Sequence, residues 1–315
     1  MPSWCAPVTA HSTQETLKSS IGIKSERVEQ GVYSTWVIDV KVVVASGKGG
    51  TGKTTVSVNL ALSLDNVQLL DCDVEEPDCN IFLKLPLEKL EDVYLPVPKI
   101  DTDKCTFCGK CSEFCKYNAL AIFPADALVF VDLCHGCGGC FLVCPENALE
   151  ERKKVIGVLE YSQSTHSHVE FMRGVLNIGE PMATPVIAAL KRKIDNSKMT
   201  ILDSPPGNAC PVIETVSNCD FCILVTEPTP FGLHDMKLAV ELTRVLDVPC
   251  GVIINKAGIG DDTVEEYCTK EGIPLLMEIP HSKKIAHLCS QGIPFVEEMP
   301  SWKEKFQQII YDIEE

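Results

Sequence analysis

The chain has no long apolar run. Stretches such as Val42–Ala45 fall far short of the ~20 residues that a membrane-spanning helix needs, which excludes a helical span. Basic residues are also scarce, with 28 Lys and Arg against 44 Asp and Glu. The formal charge of −16 would be repelled by nucleic-acid phosphates and by anionic lipid, so neither is an expected partner. Met1–Ser20 lacks a basic stretch followed by an apolar core, and no secretory signal is read there. The 17 cysteines are therefore read as reduced thiols in a cytoplasmic setting, not as a disulfide framework. A hydrophobic content of 45%, with 20 Gly and 20 Pro, is ordinary for a folded α/β chain, and 315 residues leave room for two domains.

What is present in excess is patterned cysteine. Eight of them form two matching runs, Cys105-x2-Cys108-x2-Cys111-x3-Cys115 and Cys134-x2-Cys137-x2-Cys140-x3-Cys144-Pro145. This is the bacterial ferredoxin spacing, in which three thiolates on one tight loop reach three iron corners of a 4Fe-4S cubane. The fourth ligand comes from the other run. On that rule one cluster uses Cys105, Cys108, Cys111 and Cys144, and the second uses Cys134, Cys137, Cys140 and Cys115. Gly109, Gly136, Gly138 and Gly139 suit a backbone that wraps closely around such a core, where positive φ is often required. Cys-x2-Cys pairs also hold structural zinc, but zinc needs two pairs, not two quartets with this third spacing. Cys115 is followed by Lys116 where the run usually has proline, which weakens a turn preference and removes no ligand.

Along the chain, residues 1–39 lack periodicity and read as a mobile extension or as the product of an upstream start site. From Val40 the pattern is strand (Val40–Ala45), glycine loop, helix (Lys53–Leu64) and strand (Val67–Asp71), the opening of an α/β sheet. Pro86, Pro96 and Pro98 read as punctuation of a linker into the cysteine region. Residues 97–152 repeat internally, with the tails Lys116-Tyr-Asn-Ala-Leu and Pro145-Glu-Asn-Ala-Leu, and read as an inserted α+β domain holding two clusters. The α/β rhythm then resumes, with expected strands at Met199–Asp203, Phe221–Thr226, Gly251–Asn255 and Leu275–Ile279. The expected fold is a doubly wound, mainly parallel sheet built from residues 40–96 and 153–315, with ligands at its carboxyl edge. Trp302–Ile313 is amphipathic and is read as packing on the core.

Gly47-Lys48-Gly49-Gly50-Thr51-Gly52-Lys53-Thr54 satisfies the phosphate-loop pattern, directly after an apolar strand and before a helix. Loop amides and the helix dipole then converge on the phosphates of ATP or ADP, with Thr55 in the same contact set. Lys53 is expected on the β and γ phosphates and the Thr54 hydroxyl on Mg2+. Two lysines flanking Gly-Gly-Thr-Gly resemble the deviant loop of the MinD/ParA/Mrp superfamily, which also includes the nitrogenase iron protein. The resemblance spans Val40 to about Glu297. It implies that Lys48 crosses to a partner subunit's nucleotide, so that ATP makes a homodimer.

In the same resemblance, Leu69-Leu70-Asp71-Cys72-Asp73 looks like switch I, with Asp73 orienting the attacking water. Ile201-Leu202-Asp203-Ser204-Pro205-Pro206-Gly207 looks like Walker B with switch II, with Asp203 holding magnesium through water. Ile253-Ile254-Asn255-Lys256 resembles the strand end whose asparagine reads adenine. The segments Asp203-Ser-Pro-Pro-Gly-Asn-Ala-Cys210 and Glu227-Pro-Thr-Pro-Phe-Gly-Leu-His-Asp235 resemble the subgroup with an inserted ferredoxin domain. Its members are associated with proteins similar to the dinitrogenase iron-molybdenum cofactor family, which implies a redox or client partner of that kind.

Other cysteines and histidines carry weaker signals. Cys210 sits where the nitrogenase iron protein has one ligand of a dimer-bridging cluster, but no cysteine lies between Cys144 and Cys210 to complete one. Cys219-Asp220-Phe221-Cys222 resembles the Cys-x2-Cys of Mrp-type carriers, yet it opens an apolar strand and reads as buried. His166 and His168 lie in a polar loop and read as solvated, and His135 reads as tuning hydrogen bonds near a cluster. The residues leave three functions open: ATP-gated electron transfer, ATP-driven delivery of a cluster or metal, and spatial positioning with a redox-sensing module. In each the chain is an ATPase, stimulated by a partner.

Overall fold

The computed structural model describes residues 40–162 and 168–314. The expected extension at 1–39 and His166 lie outside the described residues. In chain order the elements of the first part are β1 (Lys41–Ala45), α1 (Lys53–Ala61), β2 (Val67–Asp71), α2 (Cys79–Leu83) and β3 (Glu88–Ile100). The cysteine region contains α3 (Lys110–Phe114), β4 (Leu120–Phe123), β5 (Asp126–Val129) and α4 (Gly139–Val143). Then come β6 (Leu149–Ser162), β7 (Val169–Leu176), α5 (Thr184–Lys191), β8 (Met199–Asp203), α6 (Cys210–Val216), β9 (Phe221–Thr226) and α7 (Pro230–Val245). The chain continues through β10 (Cys250–Ala257), α8 (Thr263–Glu271), β11 (Leu275–Pro280), α9 (Lys283–Ser290), α10 (Phe295–Glu298) and α11 (Ser301–Glu314).

One sheet of nine strands runs β11-β10-β9-β1-β8-β2-β7-β6-β3. From β11 to β7 every pairing is parallel, while β7·β6 and β6·β3 are antiparallel. The central strands are buried on both faces, as continuous apolar runs in a parallel sheet should be. Alternation sorts their side chains: Val43 and Ala45 enter one core with Val186, Ile187, Val212 and Val240, and Val42 and Val44 enter the other with Val56, Leu60 and Phe306. The amphipathic α11 buries Trp302, Phe306, Ile309 and Ile310 in the second core, as its pattern implied. No described helix is long and apolar enough to cross a membrane.

The expected linker is instead a strand. β3 pairs with β6 along its whole length, from Glu88↔Tyr161 to Ile100↔Leu149. Pro96 and Pro98 are tolerated because β3 is the edge of the sheet, where a missing N–H breaks no ladder on the open side. β3 and β6 run unbroken through both expected domain boundaries, at 96/97 and 152/153. They form a two-stranded arm, with residues 101–148 folded at its tip. This tip carries the small sheet β4·β5 and the paired short helices α3 and α4.

Candidate nucleotide and thiolate sites

The glycine loop lies at the carboxyl end of β1, between the strand and α1, and two of its glycines are demanded by close neighbours. A Cβ on Gly47 would fall 2.2 Å from the Asp235 carbonyl oxygen in the second turn of α7, and one on Gly52 would fall 2.2 Å from Asn255 Nδ2. Gly52 also has φ of 92°, the turn from which α1 begins. Asn255 donates from Nδ2 to the Thr51 carbonyl at 2.7 Å, so the end of β10 braces the loop directly. Its Oδ1 accepts from the Lys256 amide at 2.9 Å.

Asp203, at the end of β8, is the hub of the site. Its buried carboxylate accepts from Lys53 Nζ at 2.8 Å and Thr54 Oγ1 at 2.9 Å on one oxygen, and from Ser57 Oγ at 2.6 Å on the other. Burial alone would lower the Lys53 pKa, but the facing Asp203, with Asp71 behind it, outweighs burial and holds the amine protonated above its ordinary value. Asp71 ends β2 and accepts from the amides of Asp73 at 3.2 Å and Cys79 at 3.0 Å, fixing the segment between them. Burial, and then the charge of Asp203, pushes the Asp71 carboxyl up. Asp73 stands 4.0 Å from Lys53 Nζ, and burial raises its pKa to about 6 although Lys53 opposes the shift.

Ser57, Asp71 and Cys79 were not singled out in the sequence. Ser57 sits one turn after Lys53, on the same face of α1, which was the available signal. Donor atoms of Asp71, Asp78, Cys79 and Asp203 lie within 4.8 Å of one another beside Thr54, and Asp78 Oδ1 is buried without a partner. Oxygen donors of Thr54, Asp78 and Asp203 are the ligand chemistry that magnesium prefers.

Lys48 is held in cis. Its Nζ donates to Glu227 Oε2 at 3.1 Å, and Lys256 bonds the other oxygen of the same carboxylate. Burial works against the Glu227 charge, yet the two lysines outweigh it and keep the carboxyl below its usual range. An open cavity separates the Cys72–Glu76 segment from Pro205–Val212, between the two segments that resemble switches.

At the tip of the arm the eight cysteines divide four and four. Cys105, Cys108, Cys111 and Cys144 line one cavity, and Cys115, Cys134, Cys137 and Cys140 line another. Each run therefore contributes three sulfurs to one cavity and its last sulfur to the other. Amides already point at sulfur, with matched bonds in the two halves. Phe107 N reaches Cys105 Sγ and Gly136 N reaches Cys134 Sγ, both at 3.4 Å; Ala119 N reaches Cys115 Sγ at 3.4 Å and Ala148 N reaches Cys144 Sγ at 3.3 Å. Burial, and then the neighbouring Cys134 and Cys137, pushes the Cys140 thiol up to about 11.

Gly109, Gly136 and Gly138 have positive φ, as expected. Gly139 does not; a Cβ there would lie 2.1 Å from the half-exposed Phe114 ring, which would have to shift. The backbone after α3 turns at Cys115 with φ −69° and ψ 107°, and after α4 at Cys144 with −78° and 111°. Lys116 therefore leaves the turn unchanged where Pro145 stands in the other half. His135 stacks on Tyr117, ring centroids 3.6 Å apart, at the edge of the second cavity. Cys219 and Cys222 are buried in the first core, with Cys219 Sγ donating to the Thr215 carbonyl, and Cys210 is exposed at the start of α6. His168 Nε2 lies 3.3 Å from the Leu62 carbonyl oxygen.

Known proteins resemble this chain over most of its length. It is 31% identical over 282 residues to an uncharacterized protein of Methanocaldococcus jannaschii, covering 87% of this chain and 98% of that one. It is 27% identical to an iron-sulfur cluster carrier protein of Pyrococcus abyssi, over 81% of this chain and 79% of that protein. The septum site-determining protein MinD of Pyrococcus horikoshii, solved with Mg-ADP, shares the fold with a TM-score of 0.52 and 21% identity, covering 87% of this chain and 95% of that one. The model of the CobQ/CobB/MinD/ParA nucleotide binding domain matches residues 42–295, and the chain belongs to that family of P-loop proteins.

Proposed function

We propose that the chain binds and hydrolyses ATP with magnesium, holds two 4Fe-4S clusters, and uses a nucleotide-dependent dimer to gate electron transfer to a partner protein. One observation carries the reading. The crossed four-and-four division of cysteines sits on an arm, β3 and β6, that leaves and re-enters the sheet between Asp73 and Asp203. In nucleotide switches the segments on either side of that insertion point respond to the γ-phosphate. Zinc fits less well, because a zinc site closes on two cysteine pairs and leaves the crossed fourth sulfur of each run unexplained.

The roles of the chain's own groups follow from their positions. Loop amides and the α1 dipole hold the phosphates, and Lys53 exchanges its bond to Asp203 for the β and γ oxygens. Thr54 and Asp203 hold the magnesium. Asp73, as carboxylate, accepts a hydrogen bond from the attacking water and aims it. Lys48 leaves Glu227 to reach the nucleotide of a second copy, which joins dimer formation to ATP. At the arm's tip, Cys105, Cys108, Cys111 and Cys144 would hold one cluster and Cys115, Cys134, Cys137 and Cys140 the other. Bound there, the clusters supply one-electron redox chemistry.

A second reading, ATP-driven delivery of a cluster, is favoured by relatives named iron-sulfur cluster carrier proteins. The buried Cys219 and Cys222 count against that pair as a transfer site, and crossed ligation counts against release from the arm. The test incubates anaerobically purified, cluster-loaded protein with ATP and an apo-ferredoxin acceptor. Retention of iron and acid-labile sulfide together with ATPase activity supports gating; transfer to the acceptor selects delivery. Protein that binds nucleotide but no iron would refute both.

A further inference from the structure

The two cysteine cavities are not equivalent. Among the described residues, the apolar side chains of segment 101–148 that pack against the first core are Val131 and Cys134, and both belong to the second half of the tip. That core also contains Cys72 and Val74 of the switch I segment and Val93, Leu95 and Val97 of β3. Gly136 lies so close to the arm that a Cβ would come 2.7 Å from Leu95 Cδ1 and 3.2 Å from the Pro96 carbonyl oxygen. The residue of the first run that corresponds to Gly136 is Phe107, and the first cavity is lined by Ile100 and Leu149 at the far end of the arm, the second by Pro96 and Pro98. The cavity of Cys105, Cys108, Cys111 and Cys144 is therefore distal, and that of Cys115, Cys134, Cys137 and Cys140 is proximal.

A polar connection follows the same route. Leu176, at the end of β7, donates its amide to the Val74 carbonyl at 2.8 Å. The turn that follows is tied by Glu180 N to the Asn177 carbonyl at 3.1 Å and by Asn177 N to the Ile156 carbonyl at 2.9 Å. Glu180 in that turn accepts from Lys154 Nζ at 3.0 Å, and both side chains are sheltered, at 13% and 18% exposure. The same ammonium reaches Asp132 at 2.8 Å, two residues before Cys134. Asp132 is largely exposed, so solvent screens that bond and Lys154–Glu180 is the firmer half of the bridge. Beyond Glu180 the chain enters α5, whose Lys191 donates to the Glu214, Thr215 and Ser217 carbonyls at the end of α6. α6 directly follows the segment resembling switch II. Lys154 of the arm thus bonds both the proximal cysteine loop and the turn that is tied to the switch I segment.

We infer that nucleotide state is communicated to the proximal cysteine site alone, with Lys154 as its positioning residue. The inference rests on the gating reading above and adds which of the two sites responds. Packed side chains and hydrogen bonds are the physical means by which distant sites couple, and among the described residues the contacts with the core that holds Cys72 and Val74, and the bridge through Lys154, run to the proximal loop.

The test is hydrogen–deuterium exchange on the full, anaerobically cluster-loaded chain with ADP and with a non-hydrolysable ATP analogue. Peptides covering residues 131–137 should change protection between the two nucleotides, and peptides covering 105–111 should not. Lys154→Met should abolish the difference at 131–137 while keeping nucleotide affinity and iron content; Lys154→Arg should retain the difference. Equal responses in the two runs, or a Lys154→Met protein that still shows the full difference, would overturn the inference. A response confined to 105–111 would sink it while leaving gating intact. No response in either run, with nucleotide bound, would sink both. Since the wild-type comparison stands by itself, failure of a variant to fold leaves the question decidable.

Discussion

Replacing Gly136 by alanine tests the contact between the proximal cysteine loop and β3, and Gly138 supplies the control in the same loop. Both glycines have positive φ, 63° and 73°, so alanine at either incurs the left-handed penalty of about 1–2 kcal/mol. They differ in their surroundings. A Cβ at Gly136 meets Leu95 Cδ1 at 2.7 Å and the Pro96 carbonyl oxygen at 3.2 Å, whereas one at Gly138 meets nothing within 4 Å. Forcing a methyl group into packed surroundings costs about 1–3 kcal/mol. Gly136→Ala should therefore destabilise the tip by about 2–5 kcal/mol and Gly138→Ala by about 1–2 kcal/mol, when the two terms are added. The measurement is an anaerobic denaturant titration followed by iron–sulfur absorbance. In a double-mutant cycle, Leu95→Ala should recover at least about 1 kcal/mol of the Gly136→Ala loss, because the two sites share the clash. Equal midpoints for Gly136→Ala and Gly138→Ala, with no coupling to Leu95, would refute the contact and the division into proximal and distal sites.

Three further outcomes are expected. Asp73 has its pKa raised to about 6, so its carboxylate fraction falls as pH drops below 6, and kcat/KM for ATP hydrolysis should fall with it. The acid limb should vanish in Asp73→Asn, whose residual rate should be low and flat with pH. Ser57→Ala removes a 2.6 Å bond to the buried Asp203 carboxylate and should cost about 1.5–3 kcal/mol of stability, read by thermal or denaturant unfolding; a loss below about 0.5 kcal/mol would place the Asp203 hub elsewhere. Lys48→Ala should leave ADP affinity within about threefold, a change of under 1 kcal/mol, yet block dimerisation by an ATP analogue in light scattering. An unchanged dimer would make Lys48 an ordinary loop lysine.

The nucleotide loop and the cysteine quartets were legible because their chemistry depends on short spacings. Gly47 to Thr54 and the two runs each place their working atoms within a few residues. The parallel strands β1, β2 and β8 to β11 were legible as apolar runs for the same local reason. The arm was not. Pro96 and Pro98 read as breaks, and the polar stretches Glu88-Lys-Leu-Glu-Asp92 and Glu150-Glu-Arg-Lys-Lys154 carry no core pattern, because an edge pair projecting from the sheet leaves much of its surface wet. β7 was also missed, although it joins the arm to the parallel strands.

The remaining gaps concern partners far apart in sequence. Ser57 meets Asp203 across 146 positions and Cys79 meets it across 124, distances over which local pattern is silent. Gly139 illustrates a different failure: a positive φ was expected and is absent, and the close neighbour of its Cα is the Phe114 ring. Asn255, expected at adenine, is seen gripping the loop through the Thr51 carbonyl, a role that the strand end alone did not reveal.

The most direct test of nucleotide-gated electron transfer is a redox titration of the anaerobically purified, full-length protein, run once with ADP and once with a non-hydrolysable ATP analogue. The account predicts two iron–sulfur transitions, at least one of which moves between the two nucleotides. Superimposable titrations with nucleotide demonstrably bound would contradict it.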